Sequence, residues 1–471
     1  MSDSPSSPGP GRHGSARHDD RALLTPDVAL GALPDAYTAG FVFTLLSRAP
    51  LRGSRERQAH DAADLLLLDT LAGWEETGRR PGRIAVLHDA HGALALPLLA
   101  AGHDVALGLD ESSAAASVEE NLTRVRAGLG DGGPGARPWG TLTVGGVDEQ
   151  TLDGAETVLT TLPRSLDALR LTAARIARWA DEDVLVLAGG RDKHMSPSMN
   201  DVLADCFTTV VPGRGRAKSR VLTARGPRRD AEVPEPQTRS HTVAGLGGLT
   251  LVGGAATFGG AALDPGSRLL LRTLAERRPA LPTPRPSRIT TESGLRVEVP
   301  WTPPTPGHPG AAATGGTGNP DPAGSGAVPD VVDAGCGNGA LAVAACRLWP
   351  EALVLASDQS ADAVASARAT AEANGLTDRV RVQQDDALSA VPDASVRLVL
   401  LNPPFHDGTA VDPTVAHRMI AAAGRVLAPG GQLWCVWNSH LRHRGVLEAE
   451  VGPTRQVARD RSFTVTVSTR P

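Results

Sequence analysis

The sequence of 471 residues contains few cysteines and few aromatic side chains. Its four cysteines are Cys206, Cys336, Cys346 and Cys435, and no two of them have the close spacing of a zinc knuckle or a redox pair. A disulfide framework and a metal site are therefore not expected. Aromatic residues make up only 3% of the chain, so a ring beside a polar motif is more informative than usual.

Long apolar runs and a strong net charge are also absent. No run of apolar residues is long enough for a membrane-spanning helix, and the first residues, rich in Ser, Pro, Gly and His, do not have the pattern of a signal peptide. The formal net charge of -5 excludes a protein that binds nucleic acid through bulk positive charge alone. A cytoplasmic protein without a membrane segment is expected.

Glycine and proline are abundant, with 52 and 37 residues, and their distribution divides the chain. The length predicts two or three domains. We expect a disordered tail over 1–22, a first domain over 23–223, a linker over 224–240 and a second domain over 241–471. Within the second domain, the Pro/Gly-rich stretch at about 280–328 cannot bury enough apolar surface to fold and is expected to be an insertion.

The second block alternates strand and helix patterns, which is typical of a parallel sheet covered by helices. In such a sheet, ligands bind at the carboxyl ends of the strands. The predicted strands are Val328–Asp333, Ala352–Asp358, Val380–Gln383, Val396–Leu401 and Gln432–Trp437, and the predicted helices are Ala340–Trp349, Ala361–Ala373 and Thr414–Leu427.

The first block repeats this pattern without its glycines. D-A-H-G-A-L at Asp89 aligns with D-A-G-C-G-N-G-A-L at Asp333, and Asp110, which follows Asp89 by 21 residues, aligns with Asp358, which follows Asp333 by 25. Further along, residues 161–164 (T-L-P-R) stand where the second block has N-P-P-F. The chain is therefore predicted to contain two copies of one α/β unit.

The turn after the first strand of the second block carries Asp333 and the glycines Gly335, Gly337 and Gly339. Such a turn lets the backbone approach a ligand closely, and the following helix presents unpaired N–H groups. No lysine follows, as a phosphate-binding loop would require. The acid favours a positively charged ligand, such as the amino-acid end of S-adenosylmethionine, over a tight turn without a ligand.

Acids also end the next two strands. The carboxylate of Asp358 can accept hydrogen bonds from both hydroxyls of a ribose, although a lone acid at such a position is more often a surface cap. Asp386, which is followed by Ala387, can accept a hydrogen bond from an adenine amino group, and Asp385 beside it is the competing choice.

The segment Asn402-Pro403-Pro404-Phe405 is the most specific signal in the chain. Two successive prolines restrict the backbone and leave only carbonyl acceptors. With the Asn402 side-chain oxygen, such a carbonyl can accept both hydrogens of an exocyclic amino group and direct its nitrogen lone pair at a methyl donor. Phe405 offers a face for a flipped-out base. The alternative interpretation is an ordinary turn after a strand.

Positive charge is concentrated between residues 212 and 229, where no acid occurs. Such a run can neutralise RNA phosphates without reading their sequence, or it can be a solvated linker. The predicted RNA-binding residues are Arg214, Arg216, Lys218 and Arg220, and a smaller candidate cluster is Arg442, His443 and Arg444.

The second block resembles class I S-adenosylmethionine-dependent methyltransferases. Among them it is similar to the ribosomal RNA guanine-N2 methyltransferases, both the C type, which acts on small-subunit RNA, and the G type, which acts on large-subunit RNA. Beyond the motifs above, the similar segments are residues 254–271 (G-A-A-T-F-G-G-A-A-L-D-P-G-S-R-L-L-L), 402–408 (N-P-P-F-H-D-G) and 438–441 (N-S-H-L). In the first block, the segments similar to the G type are 162–166 (L-P-R-S-L), 189–194 (G-G-R-D-K-H) and 218–220 (K-S-R).

The resemblance implies two tandem Rossmann-like α/β methyltransferase domains, of which the first is degenerate. It implies that Asn402, Pro403, Pro404 and Phe405 hold the target guanine. It also implies a cofactor site made from Asp333, Gly335, Cys336, Gly337, Asn338, Gly339, Asp358, Gln359, Asp386, Ala387 and Asn402. His406 and Asp407 have no third ligand at metal spacing, so they are expected to line the substrate entrance or stabilise the loop.

The expected activity is transfer of a methyl group from S-adenosylmethionine to N2 of a guanine in 16S or 23S ribosomal RNA. The expected substrate is the RNA or an assembly intermediate of the ribosome, and the enzyme is expected to be a monomer. Three alternatives remain open: an adenine-N6 methyltransferase, a protein glutamine-N5 methyltransferase, and a non-catalytic RNA-binding assembly protein.

Overall fold

The structure is a computed structural model that describes residues 36–49, 58–130, 138–290, 296–299, 302, 328–404 and 413–471. The predicted tail, most of the predicted insertion, and Phe405, His406 and Asp407 lie outside these ranges. Within them, no helix combines the length and the apolar character that crossing a membrane requires.

The first domain is built on a seven-stranded sheet. Its strands are β1 (Ile84–Leu87), β2 (Val105–Gly108), β3 (Leu142–Gly145), β4 (Thr157–Thr161), β5 (Leu185–Arg191), β6 (Phe207–Pro212) and β7 (Ser219–Pro227), and its helices are α1 (Ala39–Leu45), α2 (Ala62–Glu76), α3 (Ala95–Ala100), α4 (Ser112–Leu129), α5 (Glu149–Leu152), α6 (Leu166–Trp179) and α7 (Ser198–Cys206). The strand order is β3-β2-β1-β4-β5-β7-β6. The first five strands are parallel, and β7 runs antiparallel to both β5 and β6.

The second domain has the same topology. Its strands are β12 (Val331–Ala334), β13 (Val354–Asp358), β14 (Val380–Gln384), β15 (Val396–Leu401), β16 (Leu427–Asn438), β17 (Thr454–Arg459) and β18 (Phe463–Thr469), and its helices are α8 (Pro265–Arg277), α9 (Ala340–Leu348), α10 (Ala361–Ala373), α11 (Pro413–Val426) and α12 (Arg444–Glu450). The order β14-β13-β12-β15-β16-β18-β17 repeats that of the first sheet strand for strand. The predicted duplication of one α/β unit is confirmed.

The central strands of both sheets are buried on both faces. Successive residues of a strand point to opposite sides of the sheet, and in β1, Ile84 and Val86 pack into one apolar cluster while Ala85 and Leu87 pack into another. Val331 and Val332 of β12 are divided between two clusters in the same way. Each fully buried Leu, Ile or Val side chain contributes about 1.5 to 3 kcal/mol, so these strands hold each domain together.

Two hairpins lie outside the sheets: β8 (Gln237–Val243) with β9 (Gly247–Gly253), and β10 (Ser287–Thr290) with β11 (Arg296–Val299). The second hairpin lies within the insertion predicted to be unstructured. Its two short strands differ from that prediction because they pair with each other in antiparallel register. At the predicted linker, β7 continues to Pro227, and the β8–β9 hairpin begins at Gln237.

The hairpin β8–β9 joins the second domain through side chains of α10. The N–H of Val252 donates to Thr370 Oγ1 at 2.8 Å, and the N–H of Gly254 donates to Ser366 Oγ at 3.0 Å. These bonds fix the direction in which the chain leaves β9, towards the loop that follows β12.

The two domains meet through equivalent loops, the one after β2 and the one after β13. The N–H of Ser112 donates to the carbonyl of Gln359, and the N–H of Ala361 donates to the carbonyl of Asp110, both at 3.0 Å. Glu111 and Ser360 thereby form an antiparallel bridge. We call residues 110–112 and 359–361 the domain ladder. It joins the carboxyl edge of one sheet to the carboxyl edge of the other.

Candidate active site

The glycine-rich turn after β12 is held against the end of β13. Gly335, Gly337 and Gly339 have φ values of 68°, 51° and 76°, which residues with a side chain rarely adopt. The N–H groups of Gly335 and Cys336 both donate to the carbonyl of Ser357, at 2.8 and 3.0 Å. A Cβ added to Gly337 would meet no atom within 4 Å. The turn is therefore fixed from behind and leaves open space in front of Gly337.

Asp333 is completely buried beneath this turn. Its Oδ2 accepts a hydrogen bond of 2.9 Å from the N–H of Ala342, in the first turn of α9. Its Oδ1 is buried and has no partner among the described residues. Burial raises the pKa of Asp333 to about 7, against the effect of the bond from Ala342 and with a smaller contribution from the nearby Asp358. An acceptor without a donor is thus available for a positively charged group.

Asp358 lies at the end of β13, as predicted, and its carboxylate bridges two loops. Oδ2 accepts from the N–H of Gly337 at 2.9 Å, and Oδ1 accepts from the N–H of Ser360 at 3.1 Å. Burial raises the pKa of this carboxyl group, and the bonds from Gly337 and Ser360 oppose the rise. The neighbouring Gln359 points its side chain at the first domain, where its Oε1 accepts from Ser113 Oγ at 2.8 Å.

The two acids after β14 have different surroundings. Asp385 is buried and accepts hydrogen bonds from Ser389 Oγ and from the N–H of Ala390. Both oxygens of Asp386 accept from the guanidinium of Arg418 at 2.6 Å. Ala387 follows with a φ of 49°. Asp385 therefore stabilises its own turn, and Asp386 is fixed in orientation by a bidentate ion pair with α11.

Asn402 is oriented by a segment far away in the sequence. Its Nδ2 donates to Asp264 Oδ2 at 2.8 Å and to Ser267 Oγ at 3.0 Å, while its Oδ1 is buried without a partner among the described residues. A carboxylate can only accept hydrogen bonds, so the amide NH₂ must face Asp264 and the oxygen must face away. Asn402 thus presents a fixed, unsatisfied acceptor at the end of β15.

Pro403 is buried and Pro404 is exposed, while the predicted position of Phe405 is not tested because it lies outside the described residues. The two prolines place their carbonyl groups directly after the Asn402 amide. This arrangement of acceptors without donors is what the chemistry of an exocyclic amino group requires.

Asn338 supports the turn rather than pointing its amide nitrogen into the space in front of it. Its Nδ2 donates to the carbonyls of Gly260 and Ala262, at 2.8 and 2.9 Å. The same segment contains Phe258, whose side chain is 83% exposed, and Asp264, which caps α8 by accepting from the N–H of Ser267. The sequence of residues 254–271 resembles the corresponding segment of the methyltransferase family, but the sequence alone does not predict that this segment contacts Asn338 and Asn402.

The predicted RNA-binding residues lie in the turn between β6 and β7 and at the start of β7. Arg216 forms an ion pair of 2.6 Å with Asp69 of α2, and Arg220 lies 3.7 Å from Asp192. Lys218 is exposed at the tip of the turn. The segment is thus part of the first sheet, and not a linker.

Two family models match the chain. One, described as Methyltransferase small domain, matches residues 325–467, and the other, described as RLMG N-terminal domain, matches residues 36–228. Ribosomal RNA large subunit methyltransferase G of Streptomyces coelicolor is 30% identical to this chain over 425 residues, which cover 89% of this chain and 96% of that protein. The chain belongs to this methyltransferase G family.

Another member of the methyltransferase G family, from Pseudomonas paraeruginosa, is 30% identical over 428 residues, again covering 89% of this chain and 96% of that protein. A solved structure, that of the 16S rRNA N2 methyltransferase RsmC of T. Thermophilus in complex with AdoMet and guanosine, matches with a TM-score of 0.63 and 19% identity over 89% of this chain and 93% of that one. The likeness to the RsmC structure shows the fold of this chain. The predicted family resemblance and the tandem class I methyltransferase fold are confirmed.

Proposed function

We propose that this chain transfers a methyl group from S-adenosylmethionine to the exocyclic N2 amino group of a guanine in large-subunit ribosomal RNA. Membership of the methyltransferase G family supports the reaction type and the RNA. The observation that carries the choice of an amino group is the Oδ1 of Asn402, which is buried and has no partner among the residues that the structure describes.

The second domain fits S-adenosylmethionine, whose sulfonium supplies an activated methyl group. Asp333 Oδ1 has no donor within the described part of the chain and suits the ammonium group of the amino-acid end. Asp358 can accept from the ribose hydroxyls, and the open space in front of Gly337 lets a ligand approach the backbone. Asp386 keeps lone pairs that are free to accept from the adenine amino group, since each carboxylate oxygen can accept more than one hydrogen bond.

The remaining predicted cofactor residues have different roles in this proposal. The turn after β12 is shaped by Gly335, Cys336 and Gly339, and Asn338 anchors that turn to residues 260–262. Ala387 follows Asp386, the proposed acceptor for the adenine amino group, and helps to position it. Gln359 fixes the loop after β13, which follows the proposed ribose acceptor Asp358, against the first domain. The cofactor therefore contacts a few groups directly, and the others hold those groups in position.

Asn402 orients the amino group that receives the methyl. Its Oδ1 accepts one hydrogen of the amino group, and a proline carbonyl of residues 403–404 accepts the other. With both hydrogens held in this way, the nitrogen lone pair would be directed at the methyl donor. The nitrogen–methyl bond would form as the sulfonium–methyl bond breaks, and the amino group would lose one proton to solvent. Phe405 stacks on the base, and Arg214, Arg216, Lys218 and Arg220 contact RNA phosphates.

The test is methyl transfer to unmodified large-subunit ribosomal RNA, followed by digestion to nucleosides and mass spectrometry. We expect N2-methylguanosine. N6-methyladenosine would identify the adenine alternative, methylated glutamine in a protein substrate would identify the protein alternative, and failure to bind S-adenosylmethionine in calorimetry would favour the non-catalytic one.

Replacing the orienting amide separates chemistry from binding. We expect Asn402→Ala to lower kcat by at least about a hundredfold, because a misdirected amino group loses its alignment with the methyl donor, while the calorimetric affinity for S-adenosylmethionine stays within about twofold. Asn200→Ala serves as the control, because it removes a half-buried asparagine of the first domain whose Oδ1 also has no partner among the described residues. Wild-type turnover by Asn402→Ala would show that the amide does not orient the substrate.

A further inference from the structure

A cavity of about 310 Å³ lies at the carboxyl ends of β1, β4 and β5 in the first domain. The chain crosses over from β1 in one direction to β2 and later in the other direction to β4, and ligands of open α/β sheets bind where these directions diverge. The volume is in the range of pockets that hold small organic ligands. The cavity occupies the place in the first domain that the active site occupies in the second.

The loop on the cofactor side of this cavity is shorter than its counterpart in the second domain. Only three residues separate Asp89 from Ala93, against six between Asp333 and Ala340, so the loop that would cradle a cofactor is three residues shorter. The carboxylate of Asp89 accepts hydrogen bonds from the N–H groups of Ala93, Leu94 and Ala95, so both of its oxygens have donors, unlike those of Asp333. The cavity extends from this loop to the substrate side, where Arg164 is the counterpart of Phe405 in the sequence alignment.

Arg164 and Arg191 supply positive charge at this opening, whose lining also includes Asp61. Arg164, Arg191 and His194 border the cavity, Lys193 adjoins it, and Arg164 lies 3.4 Å from His194. Within the described ranges, Arg164, Arg191 and Lys193 form no ion pair with a carboxylate. Burial, then the positive charges of Arg164 and Lys193 and, least, that of Arg191 lower the pKa of His194, while Asp61 opposes this change, so His194 is a neutral hydrogen-bonding group beside the arginines and not a cation. This cationic rim is therefore suited to an anionic ligand.

Three motifs from distant parts of the first domain converge here. The segment 162–166 supplies Arg164, and the segment 189–194 supplies Arg191 and His194. The segment 218–220 joins them, because the N–H of Asp192 donates to the carbonyl of Lys218 at 2.9 Å and Arg191 pairs with Ser219. The first two motifs have no part in the methyl transfer proposed above.

The interior can accept a polar, uncharged group. Burial raises the pKa of Asp64 to about 8 and also raises the pKa of Asp89, so burial disfavours the charged form of both acids and weakens their repulsion of an anion. His60 lines the cavity, and its Nδ1 is buried without a partner in the described part of the chain. A cationic rim around a polar interior suits a phosphate joined to a heterocyclic base.

We propose that this cavity binds one unpaired nucleotide of the ribosomal RNA, with the phosphate on Arg164 and Arg191 and the base inside. The proposal rests on the proposed function for the identity of the RNA. RNA is recognised mainly through unpaired bases of this kind, and a second nucleotide held by the first domain would fix the RNA relative to Asn402.

The test compares two double variants of the full-length protein by fluorescence anisotropy with a labelled single-stranded RNA oligonucleotide. Arg164→Ala/Arg191→Ala should weaken binding by at least about tenfold and lower the salt slope by about 0.7, since the two arginines share one phosphate and each phosphate contact with a single strand contributes about 0.7. The control Arg124→Ala/Arg170→Ala removes equal charge from surface ion pairs with Glu120 and Asp205 and should bind like the wild type. Equal affinities of both variants would overturn the proposal.

A second measurement locates the nucleotide. An oligonucleotide containing 4-thiouridine, irradiated on the wild-type protein, should form adducts on peptides that contain residues 162–164 or 189–195. Adducts only elsewhere would overturn the proposal, as would a double variant that loses affinity for guanosine monophosphate but keeps its affinity for RNA. Failure of the proposed function gives a different pattern, in which wild-type protein transfers no methyl group while the anisotropy difference persists.

Discussion

A single carboxylate, Asp264, determines which atom Asn402 presents to the proposed substrate site. Asn402 lies 138 residues later in the chain, and its amide could otherwise turn over to present NH₂, which would repel an amino group. Asp264 excludes that orientation because it can only accept. Asp264 also caps α8, an interaction worth about 1 kcal/mol. We therefore regard Asp264 as a positioning residue that acts through Asn402.

At Asp333, pH should control cofactor affinity. Burial favours the neutral carboxyl group, so the contribution of Asp333 to folding stability is complete below its unfolded pKa and is lost as pH rises towards the folded pKa of about 7. A bound ammonium group favours the ionised form instead. We expect calorimetric affinity for S-adenosylmethionine to fall severalfold from about pH 7.5 to about pH 6, and Asp333→Asn to bind weakly at both.

The counterpart acid in the first domain provides the control for this titration. Asp89 is also buried, and burial also raises its pKa, but its side-chain hydrogen bonds go to the start of α3. Asp89→Asn should change stability and leave the pH dependence of cofactor affinity as in the wild type. If Asp333→Asn kept the wild-type pH dependence, the titration would belong to another group.

Among the loops, the turn after β12 combines backbone strain with function. Gly337 and Gly375 both have positive φ, and neither has an atom within 4 Å of an added Cβ. Gly375 ends α10, whereas Gly337 faces the space proposed for the cofactor. Alanine should cost about 1 kcal/mol of unfolding free energy at either position, because both force a left-handed backbone on a side chain.

Only Gly337→Ala should weaken cofactor binding, by at least about fivefold, because the added methyl group occupies the space that the ligand needs. Chemical denaturation gives the matched stability loss, and calorimetry gives the affinity. If Gly375→Ala weakened binding equally, the loss would come from general destabilisation.

The sequence predicts elements well where local signals agree with packing. α10 begins and ends as predicted, because Ser360 caps it through Ala363 N–H and Asn374-Gly375 stop it. β15 also matches, as an apolar run buried between β12 and β16. β16 begins at Leu427, five residues before the predicted start, because Leu427 pairs with Val396 across a register shift despite the intervening Pro-Gly-Gly. Pairing with β15 therefore lengthens β16 beyond the Pro-Gly-Gly segment at which the local sequence predicts a strand boundary.

The site was predictable to the same extent. Asp333, Asp358 and Asn402 lie at strand ends, where the periodic pattern and the motifs place them. The bonds from Asn402 to Asp264 and from Asn338 to residues 260 and 262 were not predictable, because they depend on how the chain returns from β9. The predicted basic segment was recognisable by charge, but its place in a hairpin, with Arg216 paired to Asp69, follows only from tertiary structure.

For the whole molecule, the domain ladder connects the degenerate domain to the loop after β13, which is proposed to contact the cofactor. Asp110, the counterpart of Asp358, accepts from the N–H of Asp362 through Oδ1 at 3.0 Å, and its carbonyl accepts from Gln384 Nε2 at 2.9 Å. Arg175 adds an ion pair of 3.7 Å with Asp362. The first domain thus holds the start of α10, immediately after Asp358.

Removing the Asp110 side chain should therefore affect a site in the other domain. We expect Asp110→Ala to raise KM for S-adenosylmethionine about three- to tenfold with little change in kcat, because it loses a hydrogen bond that caps α10 and is worth about 1 kcal/mol. Asp181→Ala removes another half-buried acid that accepts from a backbone N–H and should leave KM unchanged. Steady-state kinetics with saturating RNA distinguishes them, and equal KM values would separate the ladder from cofactor binding.

The order of the strands along the chain also bears on synthesis. Every strand of the first sheet ends by residue 227, and every strand of the second begins after residue 330. The first domain can therefore complete its sheet while the second is still being translated, since domains generally fold as units from the N-terminus. The loop at residues 110–112 is then already formed when residues 359–361 pair with it. This order of folding also limits the exchange of strands between the two similar domains.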